Sequence, residues 1–277
     1  MTKDWVKLLF RNRLTAAGFI IVVLFFILSL LAPLFAPYNL YSQNLDIRLE
    51  SPSRFHLLGV DDLGRDIMSR IIAGSLISFK VGLITVSISS ITGLIIGSVS
   101  GYNGGWIDEL IMRFIDILLA FPGMLLAISI IAILGPGLDN VIIALCLVGW
   151  VGYARLVRGQ ILSLKEREYV LASRAMGASG ARTVIMHIIP NLLSPLIVQA
   201  TLGVAGAIVA EASLSFLGLG TQAPQPSWGS MLNDGQKYLY MAPHMTAFPG
   251  LAIMIVVMGF NFLGDGLRDI LDPKNGE

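Results

Sequence analysis

Uncharged apolar runs recur along the chain, separated by shorter polar and glycine-rich stretches. Leu14 to Phe35 carries no charge and is long enough to cross a bilayer core, which takes ~20 apolar residues as helix. The second run is Val81 to Val99, rich in Ser, Thr and Gly, and the third is Ile117 to Leu134, with Pro122 near its start and Gly135-Pro136-Gly137 closing it. Asn140 to Ala154 is a short fourth run with room to extend at either end. Pro195 to Ala210, opened by Pro190 and followed by Glu211, is the fifth, and Phe248 to Gly264 is the sixth. The pattern predicts an all-α polytopic membrane protein of six transmembrane helices.

Composition agrees. Of 277 residues, 55% are hydrophobic and 13% charged, with mean hydropathy +0.76, whereas soluble domains carry about 25% charged residues. A net charge of +1 gives no footprint for nucleic acid. The single cysteine, Cys146, lies in an apolar run and reads as a small packed hydrophobe. His56, His187 and His244 are scattered without metal-ligand spacing, so no metal site is expected. Lys3, Lys7, Arg11 and Arg13 ahead of the first run resemble a signal-peptide flank. The run is nevertheless too long for a signal core, and Leu34-Phe35-Ala36 lacks a small-x-small cleavage pattern, so a retained helix is expected.

Basic residues set the orientation. With the N-terminus in the cytoplasm, the inner segments hold those four, Arg113, the six between Arg155 and Arg182, and Arg268 with Lys274. The outer segments hold only Arg48, Arg54, Arg65, Arg70, Lys80 and Lys237. Both termini are expected to be cytoplasmic.

The inner segment Glu168 to Pro190 is the most informative one. Two short helices separated by Gly177 fit it, with Leu171, Ala172, Ala175 and Met176 on one side. Gly177 lets the backbone turn, Ser179 is placed to cap the next helix, and Pro190 suits the first turn of the fifth span. Such a segment is either a rigid knob for a partner's groove or an amphipathic helix lying on lipid.

Small residues in the second and fifth spans (Gly82, Ser87, Ser89, Ser90, Gly93, Gly97; Gly203, Ala205, Gly206, Ala207) mark close helix packing, with lining of a translocation path as the other reading. Asp61, Arg65, Asp66 and Arg70 read as an ion-paired extracytoplasmic loop, with Asp66 capping a helix and pairing with Arg70 four residues on. Contact with an external protein is the alternative there; the spacing does not make a calcium loop. Glu211, near the end of a span, is either paired or faces a wet cavity. Asp116 is expected to pair with Arg113. Asp265, Arg268, Asp269 and Asp272 read as an interfacial network, not a catalytic set.

The inner segment resembles the cytoplasmic "EAA" loop of ABC-importer permeases, E-A-A-x3-G-x9-I-x-L-P. Aligned on Gly177 and Pro190, Leu171-Ala172-Ser173 stand at E-A-A, and His187 and Ile189 at the I and L positions. The glycine, the first alanine and the proline match; the glutamate and isoleucine do not. Nearly the whole chain is similar to the second ("C" type) permease of the dipeptide/oligopeptide/nickel importer family. The resemblance is carried by His56-Leu57-Leu58-Gly59-Val60-Asp61-Asp62-Leu63-Gly64-Arg65-Asp66, by Gly101-Tyr102 through Trp106 with Asp108, and by Tyr153-Ala154-Arg155-Leu156-Val157-Arg158. It continues in Glu211-Ala212-Ser213-Leu214-Ser215-Phe216-Leu217-Gly218, Pro226-Ser227-Trp228-Gly229 and Asn261-Phe262-Leu263-Gly264-Asp265-Gly266-Leu267-Arg268-Asp269. Val60 departs from the family's usual threonine.

The resemblance implies a type I ABC-importer permease fold and division into 1–13 (cytoplasmic), 14–37 (first transmembrane helix), 38–75 (extracytoplasmic loop with a short helix), 76–265 (five-helix permease core with coupling segment 155–189) and 266–277 (cytoplasmic tail). It implies a second permease subunit, two cytoplasmic ATPase subunits that bind ATP and Mg, an extracytoplasmic binding protein, and a bacterial or archaeal cell membrane. Ala172, Arg174, Ala175, Met176, Gly177 and Ala178 would meet an ATPase. Leu171 in place of the usual glutamate leaves open whether Glu168 makes that polar contact. No Gly-x-x-x-x-Gly-Lys-Ser/Thr phosphate loop occurs in the sequence, which agrees with ATP hydrolysis in separate subunits and no cofactor or catalytic residues here. Dipeptides or short oligopeptides are the expected cargo, with nickel or a metal chelate as the alternative. A secondary transporter would more often carry ionisable residues at mid-membrane, and a membrane enzyme would need a clustered nucleophile or metal set.

Overall fold

The computed structural model describes residue 10 and residues 12–271. Expectations placed on Lys3, Lys7, Arg11, Asp272 and Lys274 lie outside the described residues. Within them the backbone forms helices, joined by turns and loops, with one isolated antiparallel bridge between Val60 and Asp66. Five helices are long and apolar enough to cross a membrane, and a bent pair makes a sixth if counted as one span.

Helix α1, Arg13–Leu30, is capped by the Asn12 side chain, which accepts from Leu14 N. The short α2, Ala32–Phe35, has a proline in its first turn and stops at the Ala36–Pro37 step. A stretch with a 3-10 turn at Leu45–Ile47 leads to α3, Ile67–Asn103. At about 1.5 Å per residue, the 37 residues of α3 run far past a ~30 Å hydrocarbon core. Lys80 is exposed partway along, so the expected span beginning at Val81 is the inner part of a longer helix.

The third run is not one straight span. Helix α4, Gly105–Leu119, and α5, Gly123–Leu134, meet at 85°. Pro122 carries no N–H and disfavours helix at Phe121, so the chain breaks where the sequence reading ran through from Ile117 to Leu134. Helix α6, Leu138–Leu164, extends the short fourth run ten residues beyond Ala154. Helices α7, Glu168–Ala175, and α8, Gly180–Thr183, form the inner segment. A π turn over Val184–Ile188 joins α8 to α9, Ile189–Phe216, as one continuous run. Pro190 sits in the first turn of α9, as expected, although the π turn runs α8 into α9 without a break, and Asn191 Nδ2 donates to the His187 carbonyl at 2.7 Å. Helix α10, Trp228–Gln236, is opened by a Ser227/Ser230 capping box, and α11, His244–Leu271, ends the described chain.

Glycines set how closely the spans approach. A Cβ at Gly93 or Gly97 would lie 2.4 Å from Tyr153 Cβ or 2.5 Å from the Ala154 carbonyl, so α3 and α6 touch backbone to backbone. Apolar cores sit at each end. Phe25, Ile67, Trp228, Met231 and Met245 pack at one end, and Tyr153, Val157, Ile161, Val170, Ile188 and Leu192 at the other.

Candidate functional site

The inner segment projects one exposed edge from a buried root. Val170 and Thr183 are fully buried and Ser173 nearly so, while Leu171, Ala172, Arg174, Ala175, Met176 and Gly177 are exposed and Ala178 is half-buried. Helix α7 ends in a Schellman closure: Ala178 N donates to the Ser173 carbonyl at 3.1 Å and Gly177 N to the Arg174 carbonyl at 3.0 Å. Gly177 has φ +86° and open space around its would-be Cβ. Ser179 caps α8 by accepting from Arg182 N. Met176, 83% exposed, stands at the tip. The six residues expected to meet a partner thus share one protruding turn.

Two contacts brace that turn against the spans. The Arg174 guanidinium carbon lies 5.8 Å from the Tyr102 ring centre, and the same ring packs on Gly180, where a Cβ would come within 2.8 Å. Beside Tyr102, Arg158 of α6 makes a fork to Asp108 of α4, Nε to Oδ1 at 2.5 Å and Nη2 to Oδ2 at 2.6 Å, and Ser100 Oγ also donates to Asp108. The sequence reading quoted Asp108 and Arg158 without pairing them. They lie fifty positions apart, and only the α4–α6 packing brings them together. Nearby, Arg113 pairs with Glu109 at 3.3 Å and not with Asp116 as expected, because the i,i+4 carboxylate is within reach on the same helical face.

At the other end of the bundle, Asp61 is a hub. Its Oδ1 accepts from Leu63 N and Arg65 N, both at 2.9 Å, and its Oδ2 meets Arg65 Nε at 2.6 Å and Arg70 Nε at 3.5 Å. Asp66 caps α3 as expected, accepting from Ser69 N at 2.8 Å and Ser69 Oγ at 2.7 Å, and its other oxygen lies 2.9 Å from His56 Nδ1. The expected Asp66–Arg70 pair is replaced: with Asp66 engaged by the helix end, Arg70 turns to Asp61. Asp234 of α10 stands 4.0 Å from Arg65. Burial, and then the neighbouring Asp62, push the Asp234 carboxyl above the ordinary range.

Glu211 is fully buried and accepts from Ser215 Oγ at 2.6 Å; Ser215 in turn accepts from Thr221 N at 3.2 Å. Its partner is a hydroxyl, not a cation, and it closes the loop after α9. The Ser89, Gly203, Gly206 and Ala207 side of the small-residue stripes lines a partly open cavity of about 290 Å³ between α3, α5, α6 and α9. Glu211 does not line this cavity. Among the described residues, no group of three or more His, Cys, Asp or Glu is placed to hold a metal ion.

Residues 93–276 match the family described as "Binding-protein-dependent transport system inner membrane component", and residues 1–52 match the "N-terminal TM domain of oligopeptide transport permease C". The chain is 48% identical to the dipeptide transport system permease protein DppC of Alkalihalophilus pseudofirmus, over 98% of this chain and 90% of that one. It is 46% identical to the oligopeptide transport system permease protein OppC of Bacillus subtilis, over 98% and 89%. The fold matches the inward-facing MetNI methionine ABC transporter with a TM-score of 0.61 at 20% identity, over 74% of this chain and 97% of that chain. The chain belongs to the family of inner-membrane components of binding-protein-dependent transport systems. It is a multi-pass permease subunit of an ABC importer, a class in which ATP hydrolysis resides in separate subunits.

Proposed function

For this permease subunit of an ABC importer, we propose that the cargo is a dipeptide or short oligopeptide. On this reading the chain forms the path with a second, similar permease as a heterodimer in the inner membrane. Both termini face the cytoplasm, two ATPase subunits sit below, and an extracytoplasmic binding protein delivers cargo from above. The similarity to dipeptide and oligopeptide permeases over nearly the whole chain supports the cargo class. The observation that carries the coupling role is the protruding Ala172–Ala178 turn, closed at Gly177 and rooted through Val170 in the inner core.

The turn works as follows. An equilibrium between inward- and outward-open states moves only if a ligand binds the two differently. ATP bound to a neighbouring subunit can bias this chain only through the surface they share. Met176, Gly177 and the exposed alanines supply a small apolar tip that fits a groove, and Arg174 steadies the tip through Tyr102. Val170, Thr183 and Ile188 are buried at its root, so displacement of the tip is passed into α6 and α9 and not absorbed in a loose loop. The ion-paired outer layer around Asp61 gives the binding protein a fixed platform.

The test is to purify the tagged chain from its native membrane in mild detergent and identify what accompanies it. The complex is then reconstituted, and ATP-dependent uptake of a dipeptide and of nickel is compared. Two ATPase copies, a second permease and a peptide-binding protein, with dipeptide uptake, are the expected result; nickel uptake without dipeptide uptake would overturn the cargo assignment.

A further inference from the structure

Arg155, in the Tyr153–Arg158 stretch of the sequence, is a cation inside a span with nothing to pair with. It lies nine residues before the end of α6 at Leu164, about 14 Å at 1.5 Å per residue. Its side chain is exposed, and among the described residues it makes no hydrogen bond or ion pair. The next arginine along the helix, Arg158, is by contrast forked to Asp108. A charged side chain at membrane depth either pairs with a neighbour or faces a water-filled path, and such residues mark the routes of substrates and ions. With no pair made, the surroundings of Arg155 decide its role.

At 3.6 residues per turn, Arg155 continues the stripe of Val148 and Gly152, both of which line the cavity of about 290 Å³. Free space continues along that stripe. A Cβ at Gly152 or at Gly159, one turn to either side of Arg155, would meet nothing within 4 Å. The cavity wall itself carries no charged side chain among the described residues, so along α6 Arg155 is the first fixed charge beyond it, on the side of the Ala172–Ala178 turn. A guanidinium offers a planar fork of donors that grips a carboxylate through two bonds at once, and its charge repels a bare metal cation. An unmodified peptide carries one carboxylate at its C-terminus whatever its side chains are. An arginine that reads this group serves many sequences alike.

Resting on the peptide-import reading above, we infer that Arg155 is a carboxylate-binding residue on the translocation path, which takes the C-terminal carboxylate of a peptide as it passes the cavity towards the cytoplasm. The test uses the complete transporter with its binding protein in proteoliposomes and dialanine, whose only carboxylate is the terminal one. Arg155→Gln should lower dialanine uptake about tenfold, as expected for losing a hydrogen bond to a charged group. Arg155→Lys, which keeps the charge, should retain most of it. Dialanine amide lacks the carboxylate, so its uptake should be the same in Arg155→Gln and in the native complex. On a Cys146→Ala background with Arg155 intact, Gly152→Cys should react more slowly with N-ethylmaleimide while dialanine is being transported. Recovery of the assembled complex by size exclusion controls for folding. Native dialanine uptake by Arg155→Gln, parallel losses of dialanine and its amide, or equal losses in Arg155→Lys and Arg155→Gln overturn the assignment while leaving peptide import intact. So does a Gly152→Cys thiol that dialanine does not protect. Absence of dialanine uptake by the native complex overturns the import reading itself.

Discussion

Gly177 offers the sharpest handle on coupling. Its φ of +86° lies in the left-handed region, and a side chain there would meet nothing within 4 Å. Substitution therefore adds backbone strain without a clash. For alanine that strain is about 1–2 kcal/mol, which lowers the ratio of closed to open turn roughly 5- to 30-fold relative to glycine. If only the closed turn docks, apparent affinity for the ATPase subunits falls with the closed fraction, by up to that factor. Asparagine tolerates this conformation best among the other residues and a β-branched side chain worst. The predicted order is Gly177, then Gly177→Asn, Gly177→Ala and Gly177→Val. The assay titrates purified ATPase subunits onto membranes carrying each variant and measures ATP-driven uptake in parallel. Native docking by Gly177→Val, or Gly177→Asn as damaged as Gly177→Val, would refute the reasoning.

Other expectations concern the packing behind the turn and the outer layer. Asp108→Ala strips Arg158 of its fork and should cost about 1.5–3 kcal/mol, seen as a lower Tm of the purified complex; an unchanged Tm removes the brace from the account. Gly97→Val places its side chain against the Ala154 carbonyl and should abolish recovery of folded protein, whereas Gly152→Ala, with nothing within 4 Å, should be recovered normally. Asp61→Ala leaves Arg65 and Arg70 buried without their shared carboxylate, a loss of about 3–5 kcal/mol that thermal unfolding reads directly. Asp234 has its pKa raised in the folded state, so its contribution to stability is present below the unfolded value and is lost as pH rises through the folded one. Asp234→Asn should therefore gain stability relative to the native chain as pH rises from about 4 to 7. A constant difference between the two across that range would contradict the assignment.

The apolar runs and the glycine turn were legible because both depend on local chemistry. Membrane length and φ > 0 are written into single segments, and Gly177, Ser179 and the Asp66 cap behave as their residue types require. What was missed depends on partners far away in sequence. Arg158 meets Asp108 across fifty positions, and Arg70 chooses Asp61 only because Asp66 is already held by Ser69 and His56. The 85° break at Pro122 was signalled by the proline, but the continuous apolarity on both sides outweighed it in the sequence reading.

The most direct test of the central claim places a photo-reactive phenylalanine analogue at position 176, the exposed tip of the turn, in the assembled native-membrane complex. The account predicts an adduct with an ATPase subunit whose yield changes when ATP is bound. Adducts with lipid alone, in a complex that still contains its ATPases, would contradict it.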